Sequence, residues 1–73
     1  MFTIYGKANC QSCVQAKQLL ASKGVDYEYK MLGHDYSLQE FYEVVPRSCK
    51  TFPAIVFDGN YLGGLEALKQ HIK

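Results

Sequence analysis

The chain has 73 residues, 48% of them apolar, and eight basic against seven acidic side chains give a formal net charge of +1. This length supports one small core, so residues 1–73 read as a single domain, and the near-neutral charge argues against nucleic acid as a partner. No apolar run approaches the roughly twenty residues of a membrane span, and the chain opens on a strand-like segment instead of a charged stretch and a hydrophobic signal core, so a cytoplasmic protein with no membrane association is expected.

Phe2-Thr3-Ile4-Tyr5 is a β-rich run that predicts the first strand. Residues 6–9 form a loop in which Asn9 caps a helix starting at Cys10. That helix runs to Lys23 with Val14, Ala16, Leu19 and Leu20 on its apolar stripe, and Gly24 stops it. Residues 25–30, Val-Asp-Tyr-Glu-Tyr-Lys, alternate as a half-buried strand does. A strand, helix and strand in this order predict two parallel strands joined by a right-handed crossover, with the first strand inside the sheet. Residues 31–36 are a loop. Ser37-Leu38-Gln39-Glu40 is a capping box opening a second helix, with Leu38, Phe41, Tyr42 and Val45 on one face and Pro46 as its end. A polar loop over 47–51 leads to Phe52-Pro53 and a strand over 54–57. Asp58-Gly59 then signals a hairpin, so residues 60–62 should return antiparallel. Gly63-Gly64 break that strand, and a last helix from Leu65 buries Leu65, Leu68 and Ile72. The order is βαβαββα, an α/β chain.

Cys10-Gln11-Ser12-Cys13 carries the chemistry. Two thiols three positions apart at the start of a helix can open and close a disulfide reversibly. The first helical turn leaves N–H groups unpaired and carries partial positive charge, which favours a thiolate at Cys10, and Lys7 adds a nearby cation. Cys13 falls one turn deeper, shielded and placed to attack a mixed disulfide formed on Cys10. Cys10 is therefore the expected nucleophile and Cys13 the resolving thiol.

The same cysteines have plainer readings. Half of a zinc site would need Cys49, His34 and His71 as partners, but these are scattered where structural zinc sites draw on a second tight pair, and no metal is expected. A structural disulfide across so short a loop removes little unfolded-state entropy, and in a reducing compartment the pair is better read as catalytic. Cys49 reads as a small, partly buried hydrophobe, with glutathionylation or an off-path disulfide as the alternative. Glu40 is read as a helix-terminus group instead of a general acid, Tyr36, Phe41 and Tyr42 as packing, and His34 and His71 as surface residues without a local partner.

A C-x-x-C opening the first helix, Thr51-Phe52-Pro53 entering a hairpin strand and Gly63-Gly64 before the final helix together resemble the glutaredoxins, and the resemblance covers essentially the whole chain. The chain is similar to the minimal members of bacteria and their phages. The resemblance implies a thioredoxin fold, a four-stranded mixed sheet flanked by three helices, the first and third on one face and the second on the other. It also implies a cis peptide bond before Pro53, with the Phe52 backbone pairing to a bound peptide as an added strand.

The implied activity is glutathione-dependent thiol-disulfide exchange in electron transport and cell redox homeostasis. Glutathione would be a co-substrate and no cofactor would be permanently bound. Lys7 matches the residue facing the glycine end of glutathione, Thr51 and Phe52 those flanking its cysteinyl backbone beside Pro53, and Gly64, Leu65 and Glu66 those receiving the γ-glutamyl carboxylate. Gln11 and Ser12 complete this set, standing where the family commonly has proline and tyrosine, so the ring that packs beside glutathione is absent. Glu66 stands near a position where aspartate is common. Partners implied are glutathione and disulfide-containing proteins, including ribonucleotide reductase, met by a monomer. Two alternatives accompany this reading: recharging by thioredoxin reductase, as in relatives lacking proline-tyrosine, and an iron-sulfur cluster held by Cys10 and glutathione between two chains.

Overall fold

β1 (Phe2–Gly6) is the strand around which the other elements assemble. The computed structural model describes residues 1–45 and 52–72. β1 pairs in parallel with β2 (Tyr27–Met31), Phe2 opposite Tyr27, and antiparallel with β3 (Ala54–Phe57), Tyr5 opposite Ala54. β4 (Asn60–Gly63) follows the Asp58-Gly59 turn and adds antiparallel to β3, giving the order β2-β1-β3-β4. The parallel pair requires a crossover, supplied by α1 (Gln11–Ser22); α2 (Leu38–Val44) and α3 (Leu65–His71) complete the expected βαβαββα order.

Successive side chains of a strand point to opposite faces, and the central strands bury both. Phe2, Ile4 and Ile55 pack with Ala16 and Leu20 of α1 and Leu68 of α3. Tyr5, Ala54 and Val56 pack with Tyr36, Phe41 and Val45 on the α2 side. The sheet thus carries α1 and α3 on one face and α2 on the other, as the resemblance implies.

Four local details differ from the sequence reading. Cys10, not Asn9, is the N-cap of α1: its backbone is extended and its Sγ accepts from the Cys13 N–H at 3.2 Å, while Asn9 turns the chain with φ 56°. Val14, expected on the buried stripe, is 38% exposed, and Cys13 takes its place with Ala16 and Leu20. β2 starts at Tyr27 because the Val25 N–H is still engaged by the Leu20 carbonyl at 3.1 Å, after Gly24 ends the helix with φ 67°. Leu38 is 50% exposed: the first turn of the short α2 overhangs the core that Phe41 and Val45 enter.

The Ser37 capping box forms as read. Ser37 Oγ accepts from the Glu40 N–H at 3.2 Å and the Glu40 carboxylate accepts from the Ser37 N–H at 3.1 Å. Val45 is extended, as a residue preceding a proline is biased to be, and ends α2 there. The histidines are not partnerless. His34 Nδ1 lies 3.2 Å from Asp35 Oδ1, and the His71 ring meets Phe2 and Phe57 at 5.5 and 5.4 Å.

The loop after β2 is tied to the end of β1. The Gly6 carbonyl accepts from the Leu32 N–H at 2.9 Å and from the buried Tyr36 hydroxyl at 2.8 Å, and burial pushes the Tyr36 hydroxyl up from its ordinary value. Asp35 accepts from the Met31 N–H at 2.8 Å. This bond first, then His34, holds the Asp35 carboxyl below the usual carboxylate range. Among the described residues no helix is long and apolar enough to cross a membrane.

Candidate functional site

Strand register gathers three chain segments at one end of the sheet. Tyr5 faces Ala54 and Ile55 faces Gly63, so the loop leaving β1, the Phe52-Pro53 segment entering β3 and the turn from β4 into α3 all emerge there. The redox motif, the proline and the paired glycines, far apart in sequence, share this end.

Cys10 and Cys13 form a disulfide across the first turn of α1, with their Cα atoms 5.3 Å apart. Their surroundings differ: Cys10 is half-buried at the helix mouth, whereas Cys13 is fully buried against β1. The Cys13 N–H donates to Cys10 Sγ, and the first turn of α1 carries no acid. When the bond opens, the unpaired N–H groups and the positive end of the helix can stabilise negative charge on the Cys10 sulfur.

Two residues of this site escaped the sequence reading. Gly6 ends β1, and a Cβ there would lie 3.2 Å from Cys13 Cβ and 2.3 Å from the Tyr29 hydroxyl oxygen. Glycine is therefore required by the close approach of Cys13 from α1 and Tyr29 from β2. The signal was present, since a glycine continuing a strand run often marks such an approach, but Gly6 was read as a loop residue.

The peptide bond between Phe52 and Pro53 is cis, as the resemblance implies, and Pro53 is fully buried. The Phe52 ring stacks on Phe41 with centroids 5.0 Å apart, and Lys7 Nζ stands 5.4 Å from the Phe52 ring centroid, joining the β1 loop to the β3 segment. In the glycine pair the roles separate. Gly63 has φ 138°, where a Cβ would come within 2.8 Å of Ala67 Cβ. Gly64 caps α3 without a side-chain hydrogen bond, and a Cβ there would lie 3.5 Å from the Pro53 carbonyl oxygen, so α3 begins against the proline segment. Leu65 is half-buried, and the exposed Glu66 carboxylate lies 3.8 Å from Lys69 Nζ. Gln11 is exposed and Ser12 half-buried on the first turn of α1. Thr51 and Cys49 lie outside the described residues. Among the described residues no three His, Cys, Asp or Glu side chains gather as a metal site.

Residues 2–62 match the glutaredoxin family model. Glutaredoxin 3 of Escherichia coli K12 is 36% identical over 66 residues, which are 89% of this chain and 77% of that protein. Hybrid peroxiredoxin hyPrx5 of Haemophilus influenzae is 35% identical over 69 residues, 94% of this chain, and the chain spans 28% of that longer protein. The crystal structure of glutaredoxin 1 from Francisella tularensis, complexed with cacodylate, superposes with a TM-score of 0.76 at 26% identity, over 97% of this chain and 90% of that one. Reduced E. coli glutaredoxin shares the fold, with a TM-score of 0.79 at 23% identity over 97% of this chain and 91% of that one. A family match running from the first strand through the last, over a sheet end that carries the C-x-x-C disulfide, means that this chain belongs to the glutaredoxin family and is a thiol-disulfide oxidoreductase.

Proposed function

We propose that the chain reduces protein disulfides and glutathione mixed disulfides with electrons from glutathione, using Cys10 as the attacking and Cys13 as the resolving thiol. The asymmetry of the pair carries this reading: Cys10 is accessible at the N-cap of α1, and Cys13 is buried where a bulky disulfide cannot reach it. Cys10 thiolate attacks one sulfur of the substrate disulfide, forming a mixed disulfide and releasing the other sulfur as thiolate. Cys13, losing its proton, attacks Cys10 Sγ, forms the Cys10–Cys13 bond and releases the second substrate thiolate. Two electrons have then passed from protein to substrate. One glutathione thiolate reopens the bridge as a Cys10 mixed disulfide, and a second displaces Cys10 as oxidised glutathione.

Lys7 beside Phe52 supports a seat for the glycine carboxylate of glutathione, with Gln11 and Ser12 assigned to it by resemblance. Phe52 before cis Pro53 offers backbone groups to the cysteinyl residue, with Thr51 assigned by resemblance. The γ-glutamyl end is assigned to Gly64, Leu65 and Glu66. Ribonucleotide reductase as an acceptor, a monomeric state and a cytoplasmic location rest on the family resemblance and belong to the same proposal.

The test supplies NADPH to the oxidised protein through glutathione and glutathione reductase, and separately through thioredoxin reductase. Rapid reduction by the first system is expected. Reduction by thioredoxin reductase alone would overturn the glutathione assignment, and the missing ring between the cysteines would be its structural cause.

A further inference from the structure

We propose that the pocket between α1 and β2, beside Cys10, is a subsite for the carboxylate of an acidic residue in the polypeptide whose disulfide Cys10 attacks. The inference rests on the reading of Cys10 as attacking thiol and adds a class of substrate to it. The pocket has a volume of about 450 Å³ and is lined by Lys7, Asn9, Cys10, Gln11, Lys17 and Tyr29 among others. Lys7 and Gln11, assigned above to the glycine end of glutathione, form its near wall, whereas Lys17 and Tyr29 extend it away from that seat, and none of the residues assigned to the cysteinyl and γ-glutamyl parts borders it.

Its electrostatics are one-sided. All seven acids of the chain lie at position 26 or later, so α1 and the loop before it hold lysines and amides without an acid. Neither Lys7 nor Lys17 is in an ion pair with a described carboxylate. Lys17 instead sits 5.2 Å from the Tyr29 ring centroid and Lys7 beside Phe52. Burial pushes the Tyr29 hydroxyl up, keeping it a protonated donor. The pocket therefore presents two ammonium groups, two side-chain amides and a phenol, a set suited to a carboxylate.

Spacing selects which carboxylate. Val14 and Lys17 follow the N-cap Cys10 by four and seven positions and line the same pocket, and seven residues of helix rise about 10 Å. Three residues of extended peptide cover roughly the same length. A substrate lying along this pocket with its cysteine at Cys10 thus brings an acid three positions away to Lys17.

The test uses blocked peptides whose single cysteine is disulfide-linked to mercaptoethanol, with glutamate or glutamine three positions from it. Single-turnover reduction by the pre-reduced protein removes any dependence on the electron donor. The expected result is a rate about threefold to fivefold higher for the glutamate peptide at low ionic strength, the size of an exposed ion pair. Salt should erode that ratio, Lys17→Gln should bring it to about one, and Lys23→Gln, outside the pocket, should leave it as it was. A ratio near one in the unsubstituted protein, or one that survives Lys17→Gln, would overturn the subsite. If neither peptide is reduced, the Cys10 reading itself fails. Titration of the S-methylated glutamate peptide into the oxidised protein then decides the pocket: amide NMR shifts centred on Lys17 and Tyr29 support it, and their absence rejects it.

Discussion

Gly6→Ala would place a methyl group where three side-chain atoms already sit. Its Cβ lies 2.3 Å from Tyr29 Oη, 2.7 Å from Tyr29 Cζ and 3.2 Å from Cys13 Cβ. Ordinary contact needs roughly 3.5 Å, so the Tyr29 phenol must move by about 1 Å, against its packing on Lys17. Cys13 on α1 cannot give way without disturbing the disulfide turn. Overpacking of this kind costs about 1–3 kcal/mol, offset by about 0.4–1 kcal/mol from the reduced freedom of the unfolded chain. The difference spans about 0–2.6 kcal/mol; a contact as short as 2.3 Å to a rigid ring places it in the upper part of that span, and a net loss of about 1–2 kcal/mol should lower Tm by about 4–16 °C in a domain of this size. Urea unfolding of the oxidised protein measures it, and a double-mutant cycle with Tyr29→Val assigns it, because the penalty should largely vanish once the phenol is gone. A loss below about 0.3 kcal/mol, or the same loss in both backgrounds, would refute the claim that Gly6 is held by Tyr29.

Three further outcomes are expected. Ser37→Ala removes the acceptor for the Glu40 N–H and should cost about 1 kcal/mol in denaturant unfolding, with Ser37→Asn close to neutral. Asp35 has a folded-state pKa below its unfolded value, so its stabilising contribution is present above the ordinary carboxylate pKa of about 3.9 and is lost as pH falls through the lower folded value. NMR titration should find Asp35 below the ordinary aspartate value, and Asp35→Asn should flatten the acid side of the stability profile. Tyr36, whose pKa is raised by burial, contributes stability that is intact below the unfolded tyrosine value of about 10 and is lost as pH rises through the folded one. Its ionisation, followed by ultraviolet absorbance, should accompany alkaline unfolding, and Tyr36→Phe should cost about 0.5–1.5 kcal/mol because the Gly6 carbonyl keeps its bond from Leu32.

What could be read from the sequence depended on whether the determining interaction was local. The Ser37 box, the Gly24 stop and the Asp58-Gly59 hairpin are set by neighbours a few residues apart, and each formed where its pattern stood. The Cys10–Cys13 disulfide was legible for the same reason, since it follows from spacing at a helix mouth. Tyr29 and Gly6 were not, because their importance comes from β2 and α1 meeting across β1. Periodicity placed Val14 and Leu38 on buried faces, but how far each helix overlaps the sheet is a tertiary matter, and both are exposed. The cis bond at Pro53 came from family resemblance, because nothing local distinguishes it.

The central claim is that Cys10 attacks and Cys13 resolves. The most direct measurement replaces Cys49 by serine, so that adding Cys13→Ser or Cys10→Ser leaves one cysteine, mixes each protein with a glutathionylated peptide and follows the adduct by mass spectrometry and peptide release. In that Cys49→Ser background, Cys13→Ser should accumulate a mixed disulfide on Cys10 and still free the peptide, and Cys10→Ser should form no adduct and free none. An adduct on Cys13, or peptide released at an undiminished rate by Cys10→Ser, would contradict it.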